Sequence, residues 1–394
     1  MDRREFLAAG TAMVGAGCLL AQPMTSGPAG KDAGLRVVTL DPLVLETPDR
    51  LLGAGRVTPS SVLFVRNHHG AKPFESMKPR PLEGFLEISG LVKYPRRVRL
   101  ADLGKMARTE VEMVLQCSGN FRSQFSKISP IKGTPWNKGG IGNVVFGGVP
   151  VAAAFQAAKL EISTAARYLT VEGADQPEHE GQADYEKSVP LSVALDRGLL
   201  ATHLNGEPLP AVHGGPLRLI IPGFYGSVQV KWLTRLRLEA AETANFFQLP
   251  DYRNPKKLIK PGAAVEYTFE NSDANFEMKI NSRLLSHTAG ERVAAGRPFA
   301  VKGVAWNDGA AKLTAVELSA DGGRTWAAAV LGPPAGPYAF REWSHTLALP
   351  AGRHEVWVRA SDVLGRCQTA DGGLFWNPGG YCWNGYEKVE LVAG

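Results

Sequence analysis

The pattern of apolar positions along the chain predicts strands far more often than helices. Ser61–Val65 and Leu217–Ile221 are short and almost continuously apolar, as buried strands are. Lys312–Ser319 and His354–Ala360 alternate apolar with polar residues instead, the pattern of strands with one buried face. Brief segments such as Val151–Leu160 lack Gly and Pro and suit a helix. From about Val37 to Leu249 strand-like runs are interspersed with these helical stretches, which predicts an α+β domain. Periodicity fails across Asp251–Pro261, where Pro and Lys concentrate, and we place a domain boundary near residue 258. The expected units are therefore 37–257 and 258–394. In the second, alternating segments are separated by the turns Asn307–Gly309 and Asp321–Gly323, a regularity that predicts an all-β, immunoglobulin-like sandwich.

Composition agrees with two globular domains: 394 residues, 44% hydrophobic and 21% charged. The formal net charge of +6 comes from scattered Lys and Arg with no basic run interleaved with aromatics. That disfavours nucleic acid and fits a small anionic substrate or an acidic partner. Asp2–Leu7 contains the pair Arg3-Arg4 and is followed by the weakly apolar, small-residue stretch Ala8–Ala21. This resembles a twin-arginine export signal over residues 1–30. The stretch is short for a membrane anchor, and the expected location is the periplasm, with the mature chain beginning between Gln22 and Lys31. Such export carries folded proteins, so it points to a cofactor inserted before crossing. After processing three cysteines remain, Cys117, Cys367 and Cys382. Cys367 and Cys382 are a candidate disulfide pair, which leaves Cys117 as the odd cysteine.

Three segments carry candidate chemistry. Leu115–Arg122 places Cys117 at a strand end before a turn-forming Ser-Gly-Asn, with Arg122 five residues on; nearby cations favour a thiolate ligand or nucleophile. Phe64–His68 breaks an apolar run into Arg66 and His68. His213–Gly223, followed by Ser227–Trp232, combines glycines that allow close backbone approach with His213, Arg218 and Lys231 as donors for a phosphate or a pterin. Each segment alone also suits an ordinary strand end or core. His203 precedes the turn Asn205-Gly206, and His287, His345 and His354 lie in the sandwich region; none fits a ligand set. No CxxCH haem attachment or flavin fingerprint is present, so no haem is expected in this chain.

In combination, FVRNH, QCSGNFRS, WNKGGIGNVVFGGVPV, HGGPLRLIIPG and VKWL resemble, in order and approximate spacing, the motifs of the sulfite oxidase family. Trp376–Gly385 resembles the closing motif of that family's dimerisation domain. The resemblance implies a molybdenum–pyranopterin cofactor with Cys117 as the protein ligand to the metal. It implies that Phe64, Val65, Arg66, Asn67, His68, Asp175, His213, Arg218, Gln229, Val230 and Lys231 hold the pyranopterin and its phosphate. Ser118 stands where relatives often have alanine. By the same resemblance Arg66 and Arg122 clamp an oxyanion with planar, permanently charged forks. His68 hydrogen-bonds or moves protons nearby, and Tyr252, in preference to Tyr225, is the active-site tyrosine. The implied reaction is oxidation of sulfite to sulfate, with electrons passed to a separate c-type cytochrome by a homodimer or a complex with a cytochrome subunit. Sulfane dehydrogenase or sulfoxide reductase activity is the alternative within the enzyme class; a secreted immunoglobulin-like binding module, free of molybdenum, is the alternative outside it.

Overall fold

The computed structural model describes residues 27–394, so all but the last four residues of the expected export segment lie outside the described residues. A five-stranded sheet at the heart of the first domain carries Thr109–Gln116, Ile141–Pro150 and Leu199–Leu204 in antiparallel succession. Leu199–Leu204 then pairs with both Glu207–Pro208 and Arg218–Ile220. The middle strands bury nearly every side chain, as near-continuous apolar runs should. A second five-stranded sheet is ordered Arg96–Arg99, Phe85–Gly90, Leu233–Glu239, Tyr168–Gly173, Glu186–Pro190. Its one parallel pair is Phe85–Gly90 with Leu233–Glu239. The short helices Val151–Ala157 and Leu191–Arg197 each follow directly from a strand, entered through Pro150 and Pro190, whose fixed φ suits the first turn. Val151, Ala154, Phe155, Leu191 and Ala194 join the largest apolar cluster, which also takes in Leu169, Val171, Leu236 and Leu238.

Ser61–Val65 departs from the expected strand. Val62 and Leu63 both donate their N–H to the Pro59 carbonyl (3.0 Å each), which winds the chain into a turn, and only Val65–Arg66 pairs, with Leu43–Glu46. The second domain is a two-sheet sandwich. One sheet is ordered Asn281–Leu284, Phe299–Trp306, Arg341–Leu347, Val330–Leu331; the other is Glu291–Val293, Glu387–Ala393, Gly352–Asp362, Leu313–Ser319, Ala327–Ala328. Along Gly352–Asp362 the residues Val356, Val358 and Ala360 point inward at every second position, facing Val301, Ala305 and Trp343 in one core. Between the two domains Arg253–Pro255 pairs with Ser272–Ala274. Cys367 and Cys382 are both free thiols and form no disulfide. Among the described residues no helix is long and apolar enough to cross a membrane.

Candidate active site

Strand Thr109–Gln116 is exposed at its start and fully buried over Met113–Gln116, and it delivers Cys117 to the floor of a deep cleft. The Cys117 N–H donates to the Gly140 carbonyl (2.8 Å), and its own carbonyl accepts from the Asn120 N–H (2.9 Å), closing the turn the Ser-Gly-Asn composition calls for. The second domain braces this turn. The Cys382 N–H donates to the Ser118 carbonyl (2.8 Å), and the Trp306 indole N–H donates to Gln116 Oε1 (2.8 Å).

The cleft encloses about 680 Å³ measured to its open mouth. Of the residues expected at the site, Phe64 to His68, Cys117, Asp175, His213, Arg218, Gln229 to Lys231 and Tyr252 all line it. Around Cys117 stand Arg66, His68 and Tyr252. His68 Nε2 hydrogen-bonds the Tyr252 hydroxyl, and the imidazole stacks on Tyr185 with ring centroids 4.2 Å apart. Burial, together with the charges of Arg66, His69, Lys231 and Lys187, holds the His68 pKa well below its ordinary value. Neutral at physiological pH, His68 exchanges hydrogen bonds and holds no charge. Burial likewise raises the Tyr252 phenol, so it stays protonated. Tyr252 adopts a left-handed backbone (φ 56°), an uncommon conformation for a bulky residue, in the segment where periodicity fails. Its ring stacks on Tyr381 of the second domain at 5.0 Å. Tyr225 points elsewhere, its hydroxyl accepting from the Lys279 N–H (3.1 Å).

The other end of the cleft is crowded with cations. Arg218 donates Nη1 to the His213 carbonyl (2.9 Å) and Nε to the Gln229 carbonyl (3.1 Å); burial pushes its pKa down to about 10. Lys231 donates to Asn67 Oδ1, and burial, reinforced by Arg218, holds its ammonium well below the usual lysine value. Among the described residues Asp175 is the one acid lining the cleft, raised by burial with Lys231 pulling against it. Ser227 Oγ and Gln229 Oε1, also in the wall, and both ring nitrogens of buried His69 have no hydrogen-bond partner among the described residues. Orphaned polar atoms and cations held in a buried recess both call for an anionic, hydrogen-bonding occupant.

Arg122, expected at the substrate, does not line the cleft. It is buried, opens helix Arg122–Ile128, and stands off the cleft wall. Nε donates to the Gly379 carbonyl (2.9 Å), Nη1 donates to the Thr134 carbonyl (2.8 Å), and the guanidinium lies over the Tyr381 ring at 5.2 Å. Gly119 and Gly380 let the chain close around it: a Cβ at Gly119 would fall 2.6 Å from Nη2, and one at Gly380 2.8 Å from Cγ. Nε and one Nη1 hydrogen are committed to these carbonyls, while the second Nη1 hydrogen and both on Nη2 have no protein partner among the described residues. Sequence reasoning missed Tyr185, which lines the cleft with its hydroxyl donating to the Ser227 carbonyl (2.7 Å). It also missed Lys187, whose buried ammonium donates to the Phe247 carbonyl and lies 5.0 Å over the Tyr252 ring. Tyr185 precedes strand Glu186–Pro190 and Lys187 lies within it, and that sequence carries no local sign of a site.

Residues 76–247 match the oxidoreductase molybdopterin binding domain, and residues 272–393 match the Mo-co oxidoreductase dimerisation domain. The chain belongs to the sulfite oxidase family of molybdopterin oxidoreductases. It is 31% identical to mouse mitochondrial sulfite oxidase over 91% of this chain and 65% of that one. It is also 31% identical to chicken sulfite oxidase, over 91% of this chain and 78% of that one. The sulfane dehydrogenase SoxCD from Paracoccus pantotrophus shares the fold, with a TM-score of 0.75 and 24% identity over 97% of this chain and 93% of that one.

The cleft fits the family's molybdenum–pyranopterin. Cys117 is the residue that would hold the metal, and among the described residues no group of three His, Cys, Asp or Glu stands there to hold one. Cys117 supplies a soft sulfur ligand. Arg218, Lys231 and His213 would hold the phosphate, and the orphaned Ser227 and Gln229 would meet polar atoms of the pterin.

Proposed function

We propose that this chain oxidises sulfite to sulfate and passes the electrons to a separate c-type cytochrome, acting in the periplasm after twin-arginine export, as a homodimer or bound to a cytochrome subunit. The observation that carries the reading is the convergence, at one mouth, of Cys117 with Arg66 and the neutral pair His68–Tyr252, above a cation-lined recess. When bound, the molybdenum cofactor supplies the two-electron chemistry. The protein's own contribution is positional and electrostatic. Arg66 gives one Nη1 hydrogen to the Asn67 carbonyl and keeps its other donors for an oxyanion. The Tyr252 hydroxyl, held by His68, offers a hydrogen bond beside the metal ligand without adding charge. Apolar and aromatic walls, Leu115, Phe64 and Tyr185, narrow the site and limit water. Cys117→Ser tests this: purified wild type is expected to hold about one molybdenum per chain and to reduce cytochrome c when given sulfite, and the variant to fold but not to oxidise sulfite. A variant active like wild type would sink the reading.

The place of Arg122 off the cleft wall favours a second reading, oxidation of a sulfane sulfur. Of the two arginines expected around the substrate, only Arg66 lines the cleft, which suits a substrate with less charge than a free dianion. Side-by-side assay of sulfite and of a carrier-bound sulfane decides between them by kcat/KM.

A further inference from the structure

Lys31 lies on a short arm that precedes the first strand, and it is almost completely buried. Two backbone contacts dock this arm, Asp32 N–H to the Ser61 carbonyl (3.0 Å) and Met77 N–H to the Ala29 carbonyl (3.0 Å), and the Gly27 N–H closes it on itself at the Lys31 carbonyl (2.6 Å). Leu35 joins Leu43, Leu45, Val62, Val65 and Val212 in a small core beneath it. This packing carries the Lys31 ammonium to the back of His213, where Nζ lies 2.9 Å from Nε2 and also donates to the Ser60 carbonyl. Among the described residues no carboxylate forms an ion pair with Lys31, so a cation has been buried beside a ring that already neighbours Arg218 and Lys231. Fold stability alone disfavours that arrangement.

The proton positions give it a purpose. His213 is held neutral by burial and by the three cations around it, so one ring nitrogen accepts and the other donates. Burial pushes the Lys31 pKa down to about 7, and below that pH its ammonium, 2.9 Å away, requires Nε2 to be the acceptor. The Ser60 carbonyl, 3.2 Å from Nε2, is already served by Lys31 and needs no ring proton. The proton then belongs on Nδ1, which has no partner among the described residues, on a side chain that lines the cation-rich end of the cleft. We infer that Lys31 is a positioning residue of the cofactor site, donating to His213 Nε2 so that Nδ1–H is fixed as a donor for the phosphate of the pyranopterin. The arm is thereby part of the cofactor site, and processing must cut on the N-terminal side of Lys31. This rests on the molybdopterin site and not on sulfite as the substrate.

The test uses the full chain and reads neither substrate nor turnover. Lys31→Met keeps the stem and removes the donor, and Lys31→Arg keeps a cation. Molybdenum is measured by mass spectrometry and pterin by fluorescence after oxidative release, during extended dilution and gel filtration. Lys31→Met is expected to lose both about tenfold faster than wild type, the cost of one charge-assisted hydrogen bond, and Lys31→Arg to recover most of the retention. Equal retention by wild type and Lys31→Met overturns the inference. Histidine-selective ¹⁵N spectra of the wild-type protein provide a check that needs no variant to fold, with His213→Asn assigning the resonance. A proton on Nδ1 is expected, and a proton on Nε2 overturns it. Failure of the sulfite assay would move neither readout.

Discussion

Replacing Arg122 by Met separates a structural anchor from a substrate clamp. Met keeps the length and much of the apolar stem but removes every donor. The Gly379 and Thr134 carbonyls would each lose a hydrogen bond from a charged group, at 2.9 and 2.8 Å, inside a site only 6% exposed. Each such bond contributes about 1.5–3 kcal/mol, and because both share one guanidinium their losses do not add fully. A destabilisation of about 3 kcal/mol is therefore expected, read as a shift in urea unfolding monitored by tryptophan fluorescence. Because Arg122 reaches from the helix after Cys117 to the 376–385 segment, and that segment supports Tyr252 through Tyr381, catalysis should fall for charged and neutral sulfur substrates alike. A clamp predicts the opposite split. Stability within about 1 kcal/mol of wild type, together with a ten- to hundredfold rise in KM confined to sulfite, would refute the anchor and restore Arg122 to the substrate.

Tyr252→Phe leaves the ring stack on Tyr381 intact and removes the hydroxyl that His68 Nε2 bonds, so kcat/KM should fall about ten- to hundredfold with little change in stability; unchanged steady-state kinetics would remove the phenol from the reaction. Lys187 is pushed down to about 7 by burial, against an unfolded value of 10.5, so the native state binds fewer protons than the unfolded state between those limits. The cost of burying its charge is thus full below pH 7 and is relieved as pH rises. Lys187→Met should therefore gain most over wild type near pH 6, and its advantage should shrink by up to about 1.4 kcal/mol per pH unit from pH 7 towards 10; an advantage that does not vary with pH, in urea titrations across that range, would show that Lys187 does not titrate there.

What was legible in the sequence is what each short segment states for itself. Gln116-Cys117-Ser118-Gly119 is a buried strand running into a turn, and the structure places the thiol where that turn leaves it, in the cleft wall. Phe64–His68 and Gln229–Lys231 reach the same cleft because each breaks an apolar run with donors. The anchoring of Arg122 was not legible for the converse reason: one of its partners, Gly379, lies 257 residues away, and no local pattern announces that the second domain will reach back to hold the guanidinium. Ser61–Val65 is apolar enough for a strand, but the Pro59 carbonyl captures two of its N–H groups first. Tyr252 lay in a stretch with no periodicity, and that irregularity is physical. Its left-handed backbone and its place between His68 and Tyr381 answer to the cleft and to no sheet.

The scattered net charge acquires a meaning only in three dimensions. Arg66, His213, Arg218 and Lys231 line one recess in which Asp175 is the one acid among the described residues, with Lys31 behind His213 and Lys187 over the Tyr252 ring, and these six come from five separate segments. Burial works against the charge on several of them, so the protein alone is held together here at a loss that its apolar clusters must offset. An anionic cofactor reverses the sign of that term. It pairs the cations, satisfies Ser227 and Gln229, and binds the native state but not the unfolded one, so occupancy and stability are linked. A chain built this way gains its full stability only once loaded, and a fold that matures around its cofactor before export is the state in which a twin-arginine route would carry it.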